Sequence, residues 1–168
     1  MSAALIAGSL PAVILTNTDV EAARSAGALK KGHLIYDMHE NLPMPYSGIA
    51  VTDKFLQEDR NAVRGFLRAT MKGVRYIKKY KAQTIAIVRK YDKQSDPHIS
   101  EFDYDQSVST LTQDGSVPEE LLRADMEIRA SILNIPKESL PPLDRVYDYR
   151  IVREVNAELD SSNWVPQP

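Results

Sequence analysis

Two prolines separated by one residue, within 42–56 (LPMPYSGIAVTDKFL), constrain this chain more than any other feature. Pro43 and Pro45 fix their own φ and push Leu42 and Met44 toward extended geometry, so no helix runs through this point. Tyr46, Ser47 and Gly48 follow, the glycine allowing backbone to approach another surface closely. Residues 49–52 then read as a short buried strand, and Asp53 opens a helical pattern. The prolines therefore separate a front part of mixed character from a rear part built mainly of helices.

In the front part, residues 2–7 predict a short helix stopped by Gly8, and 12–15 (AVIL) predict an apolar strand between Pro11 and the polar Thr16, Asn17 and Thr18. Thr18 and Glu21 have the spacing of a capping box, and Gly27 supplies a C-terminal stop. Residues 33–38 (HLIYDM) alternate only partly and predict another strand. Helix, strand, helix, strand is the order of an α/β layer with a parallel component.

Behind the prolines, Asp59 or Asn61 caps a predicted helix running to about Tyr80. Val63, Phe66, Leu67, Thr70, Val74 and Ile77 lie on one side of it, and Arg64, Arg68, Lys72, Arg75 and Lys79 largely on the other. The basic side reads as a solvated face rather than a nucleic-acid surface. Helices are expected at 82–91, at 97–111 behind the cap Asp96 and Pro97, and from Pro118 onward with Glu119 and Glu120 in its first turn. Another is expected at 149–159, before a tail that Trp164 pins.

The charge balance of 21 basic against 23 acidic residues gives a net −2, no field that favours nucleic acid or an anionic membrane. The chain contains no cysteine, so disulfides, thiolate metal sites and a cysteine nucleophile are excluded. The apolar start lacks a basic flank and is interrupted by Pro11, which argues against a secretory signal. No phosphate loop, dinucleotide fingerprint, nucleophile elbow or paired-histidine zinc spacing occurs, and His33, His39 and His98 are not at ligand spacing. Glu101 and Asp105 share a helix face that suits a divalent cation, but acids on a solvated helix are far commoner. Small-molecule recognition is better supported. Thr16 and Asn17 stand at the carboxyl end of a predicted strand, where α/β sheets form ligand crevices. Tyr46 and Ser47 stand where the extended segment enters the next strand, and their hydroxyls and ring suit a polar solute. Equally, Thr16 and Asn17 turn the chain and Tyr46 packs between layers.

The succession LIAGSLPAVILTN, VEAARSAGALKKGHLIYDM, LPMPYSGIAVTDKFLQEDRNAVRGFLRATMKGVRYI, AIVRKYDK, DGSVPEEL and PPLDRVYDY resembles the later half of ABC-transporter solute-binding proteins, in the nitrate, sulfonate, taurine and thiamine-pyrimidine group. The likeness extends over about 3–152. It implies part of a type II periplasmic-binding-protein fold, an α/β architecture with a short mixed sheet and a predominantly helical C-terminal part. Residues 1–38 would end the second lobe, 39–48 would cross between lobes, 49–159 would form the later part of the first lobe, and 160–168 would be a loose tail. Thr16, Asn17, Tyr46 and Ser47 match positions that face the family's cleft. Relatives often carry aspartate where Pro11 stands and proline near Asn17 and Thr18, so this loop departs from the pattern.

The resemblance implies a non-enzymatic protein that binds a small polar solute without transforming it, uses no cofactor or metal and partners a transporter permease. The family's first half has no counterpart here, which implies pairing with another copy or with a complementary chain. The family is periplasmic or cell-envelope; without an export signal the chain as written is expected in the cytoplasm. Two further readings are a scaffold that has lost solute binding and a fragment of a thiamine-pyrimidine biosynthetic enzyme using His39.

Overall fold

The computed structural model describes residues 2–27, 35–37, 44–45, 47–91 and 96–168. Its helices are α1 (Ser2–Ile6), α2 (Asn17–Ser25), α3 (Asp53–Glu58), α4 (Arg60–Lys79), α5 (Lys81–Tyr91), α6 (Pro97–Thr110), α7 (Glu119–Leu133), α8 (Leu143–Val146) and α9 (Arg150–Ser161), with a 3-10 turn at Lys137–Ser139. The chain forms two compact units. One comprises Met1–Asp37, Ile77–Leu111 and Pro168; the other comprises Met38–Tyr76 and Thr112–Gln167.

In the first unit, α2 packs on α1 and α6, and α5 packs on α6. Local chemistry sets the ends of these helices. Gly8 leaves α1 at φ 70, and Gly27 follows α2 at φ 72, a conformation glycine enters without a Cβ penalty. Asp96 accepts the His98 N–H at 2.7 Å while Pro97 occupies the first helical position of α6, as the Asp-Pro pair predicts.

The second unit has its core where α4 meets α9: Met71, Val152, Val155 and Leu159 are buried together, with Leu67, Val74, Tyr149 and Trp164 packed against them. Asp59 caps α4 by accepting the Ala62 N–H at 2.9 Å. The turn before α7 closes over this core. Asp114 binds the N–H and hydroxyl of Ser116, and its own carbonyl accepts from the Asn156 amide at 2.8 Å. Gly115 sits between them at φ 76, its missing Cβ leaving room for Met71 and Val152. Trp164 docks the segment after α9, its N–H bonded to the Leu159 carbonyl at 2.9 Å.

The basic side of α4 is engaged rather than solvated. Arg60 makes two bonds to Glu154, Arg64 and Arg68 both reach Glu158, and Arg75 meets Asp160 and Asn156, so the guanidinium groups tie α4 to α9.

The expected α/β class, with its short mixed sheet, is not what the structure shows: among the described residues there are helices and no strands. Residues 12–15 and 47–51 are non-helical, and so are 35–37 within the third predicted strand, whose remaining positions lie outside the described residues. The cause is pairing. A strand exists through its ladder, and an apolar run without a neighbouring strand exposes its side chains and its backbone. Ile14 and Ile35 are 78% and 86% exposed, and Ile49 and Val51 are exposed as well.

Candidate functional site

The sequence-predicted residues of the first unit converge at the head of α2. Thr16, not Thr18, is the cap: extended at φ −71 and ψ 157, it accepts the Asp19 N–H at 3.1 Å and donates its hydroxyl to Asp19 Oδ2 at 2.8 Å. Thr16 and Asp19 have the same three-residue spacing as Thr18 and Glu21, and the chain caps α2 with the earlier pair instead of the one its sequence predicts.

Freed from capping, Thr18 and its neighbours join α2 to α6. Thr18 donates to Asp103 Oδ1, Asn17 Nδ2 donates to Gln106 Oε1 at 3.2 Å, and His98 Nε2 lies 3.1 Å from Glu21 Oε1. The partners descend along α6 as they climb α2, so the two helices run antiparallel across this polar seam. Glu21 is nearly buried and also receives Arg24 at 2.8 Å. The His98 hydrogen bond, followed by Arg24, holds its carboxyl below the ordinary glutamate value against the opposing effect of burial.

Chemically, the seam has one open position. The Asn17–Gln106 bond uses one amide donor and one carbonyl acceptor, and neither Asn17 Oδ1 nor Gln106 Nε2 bonds another described residue. Both residues are half-buried. Asn17 Oδ1 thus leaves an acceptor and Gln106 Nε2 a donor in the seam, groups that suit a polar solute.

The other two sequence-predicted residues belong to the second unit's stretch of chain. Tyr46 lies outside the described residues, as do His33 and His39; Ser47 is exposed. The pair Glu101 and Asp105, whose spacing would suit a cation but which the sequence reads as a solvated face, takes its cation from the chain itself. Lys81 Nζ sits 2.7 Å and 2.9 Å from the oxygens of Asp105 and 3.3 Å from Glu101, and these bonds raise its pKa. Among the described residues, no three histidine, aspartate or glutamate side chains converge on a common point where a metal ion would sit. No described helix is long and apolar enough to cross a membrane.

Two charged features of the second unit escaped the sequence reading. A shallow depression of about 230 Å³ is lined by Leu56, Arg60, Asp148, Arg150, Ile151 and Glu154, but its four charges pair with one another across the rim. Asp125, 2% exposed, takes the Arg129 guanidinium at 2.8 Å and the Tyr147 hydroxyl at 3.4 Å on one oxygen, while its other oxygen has no partner among the described residues. Burial and the nearby Asp125 charge raise the pKa of Tyr147. The spacing of Asp125 and Arg129 was the only signal for this cluster in the sequence.

Residues 1–83 match the family described as NMT1/THI5 like, which is the ABC solute-binding and thiamine-pyrimidine family. The matched stretch contains Thr16, Asn17, Tyr46 and Ser47, and ends within α5. No curated protein and no solved structure matches the chain significantly.

Proposed function

We propose that this chain is a solute-binding component of an ABC-type transporter, holding a small polar solute by hydrogen bonds and aromatic contact without transforming it. The observation that carries the reading is the NMT1/THI5 like match over residues 1–83, because it covers all four positions selected for solute contact. The head of α2 supports it chemically: Asn17 keeps an acceptor and Gln106 a donor beyond the bond between them, and the Thr18–Asp103 bond next to them joins their helices. Such proteins are typically periplasmic and deliver their solute to transporter components, so a permease is the macromolecular partner this reading proposes.

One observation favours a second reading, a scaffold that has lost solute binding. The hydroxyls of Thr16 and Thr18 are both consumed inside the unit, by Asp19 and Asp103. Thermal-shift measurements with nitrate, alkyl sulfonates, small amines and pyrimidines separate the two. Solute binding predicts a raised melting temperature with one chemical class, lost in Asn17→Ala and in Tyr46→Ala but kept in Glu120→Ala, a change on the exposed first turn of α7. A well-folded sample with no response across the panel favours the scaffold.

A further inference from the structure

The charges around the head of α2 constrain the solute that Asn17 and Gln106 can hold. Helices α2 and α6 carry five carboxylates, Asp19, Glu21, Glu101, Asp103 and Asp105, against one arginine, Arg24, and His98. Three of the five are answered among the described residues: Glu21 by Arg24 and His98, and Glu101 and Asp105 by Lys81 of α5. Asp19 and Asp103 form no ion pair with a described residue. They are bonded instead to the residues on either side of Asn17. Asp19 accepts the Thr16 hydroxyl at 2.8 Å, and Asp103 accepts that of Thr18. Each uses one oxygen in that bond and keeps the other, and both residues are exposed. Asp103 also precedes Gln106 by three positions on α6, so the two share a face one turn apart.

The positive end of α2 does not cancel these charges. A helix N-terminus carries about half an elementary charge, and Asp19 already stands in that first turn. The Asp103 charge remains in full. Arg24 and His98 are both engaged by Glu21, one turn further along α2.

We propose that the solute held at the head of α2 is a cation, a small protonated amine or amidine, and not an oxyanion such as nitrate or a sulfonate. The proposal rests on the solute-binding reading and gives the solute its charge; the carboxylates do not define the site, which the family match and the open groups of Asn17 and Gln106 select. An ammonium or amidinium group has hydrogen-bond donors and no acceptor, which matches Asn17 Oδ1 and the remaining oxygens of Asp19 and Asp103. An oxyanion meets neutral amide donors there, with no guanidinium or ammonium free to pair with it among the described residues of α2 and α6. A carboxylate about 6 Å from a bound charge changes affinity by about threefold in water, in favour of a cation and against an anion, and salt screens the effect.

Calorimetric titration of the full chain with one skeleton in three charge states tests this: propylammonium, propionamide and propanesulfonate, with acetamidinium as a second cation. The cations are expected to bind saturably, the more weakly as potassium chloride is added. Asp103→Asn and Asp19→Asn keep an oxygen for the threonine hydroxyl and remove the charge alone. Each is expected to weaken cation binding about threefold, and the double variant about tenfold, with unchanged circular dichroism. Glu120→Gln, on the exposed first turn of α7, is expected to leave it unchanged. Tighter binding of propanesulfonate or propionamide than of propylammonium, or cation binding that the double variant leaves intact, overturns the proposal. If that better-bound probe is lost in Asn17→Ala, solute binding stands and only its charge assignment falls. Silence from a folded chain toward every probe overturns both.

Discussion

Two glycines in the second unit, Gly115 and Gly73, are expected to respond to the same substitution with opposite sign. At Gly115 the backbone is left-handed, φ 76, and an added Cβ would lie 3.0 Å from both Met71 Sδ and Val152 Cγ2. The left-handed conformation alone costs a non-glycine residue about 1–2 kcal/mol. The contact adds roughly 1–3 kcal/mol, because the Met71 thioether can swing aside but Val152 is β-branched, within α9 and 5% exposed. Reduced freedom of the unfolded chain returns about 0.4–1 kcal/mol, leaving Gly115→Ala destabilised by about 1–5 kcal/mol. Gly73 lies inside α4 with nothing within 4 Å of its Cβ position, so Gly73→Ala gains about 0.5–1 kcal/mol of helix propensity. Trp164 is the only tryptophan and packs on this core, so its fluorescence in urea follows the unit selectively. The reasoning is refuted if Gly115→Ala unfolds within about 0.5 kcal/mol of the parent, the ordinary range for a surface change, or if Gly73→Ala is the more damaging of the two.

Removing Glu158 strips the shared acceptor of Arg64 and Arg68; because all three side chains are about one-third exposed, Glu158→Ala is expected to cost only about 1 kcal/mol, shrinking in high salt, as urea unfolding read by Trp164 fluorescence would show. In the first unit, a depressed carboxyl contributes stability above its ordinary value near 4.5 and loses it as pH falls through the lower folded-state value. Acid titration followed by hydrogen exchange in α2 should therefore show His98→Leu opening at higher pH than the parent, closer to 4.5, since His98 is the largest cause of the Glu21 depression; coincident curves would mean that the Glu21–His98 contact does not hold α2 on α6.

Features decided by a few adjacent residues were legible in the sequence. Gly8 and Gly27 end helices, Asp96 with Pro97 starts one, and Asp59 caps α4, because each acts on the backbone beside it. Features decided by distant partners were not. The basic side of α4 carried no mark of Glu154, Glu158 and Asp160, some 90 positions away, although two of those acids are four apart in a stretch already expected to be helical. Lys81 likewise fills a site whose acids were recognised while its cation was not. The α/β expectation failed for the same reason: the apolar runs at 12–15 and 49–52 have strand composition, but a ladder belongs to two segments. At the head of α2, the cluster of polar residues was visible, but the division of labour was not. Thr16 caps and Thr18 bridges because Asp103 and Gln106 come from another helix.

Isothermal titration of the purified chain with the solute class that best raises its melting temperature tests solute binding most directly. The account predicts saturable binding at one site per chain, with no heat of turnover, and its loss in Asn17→Ala while the circular dichroism is unchanged. Absence of saturable heat from a folded chain, or binding that Asn17→Ala leaves intact, contradicts it.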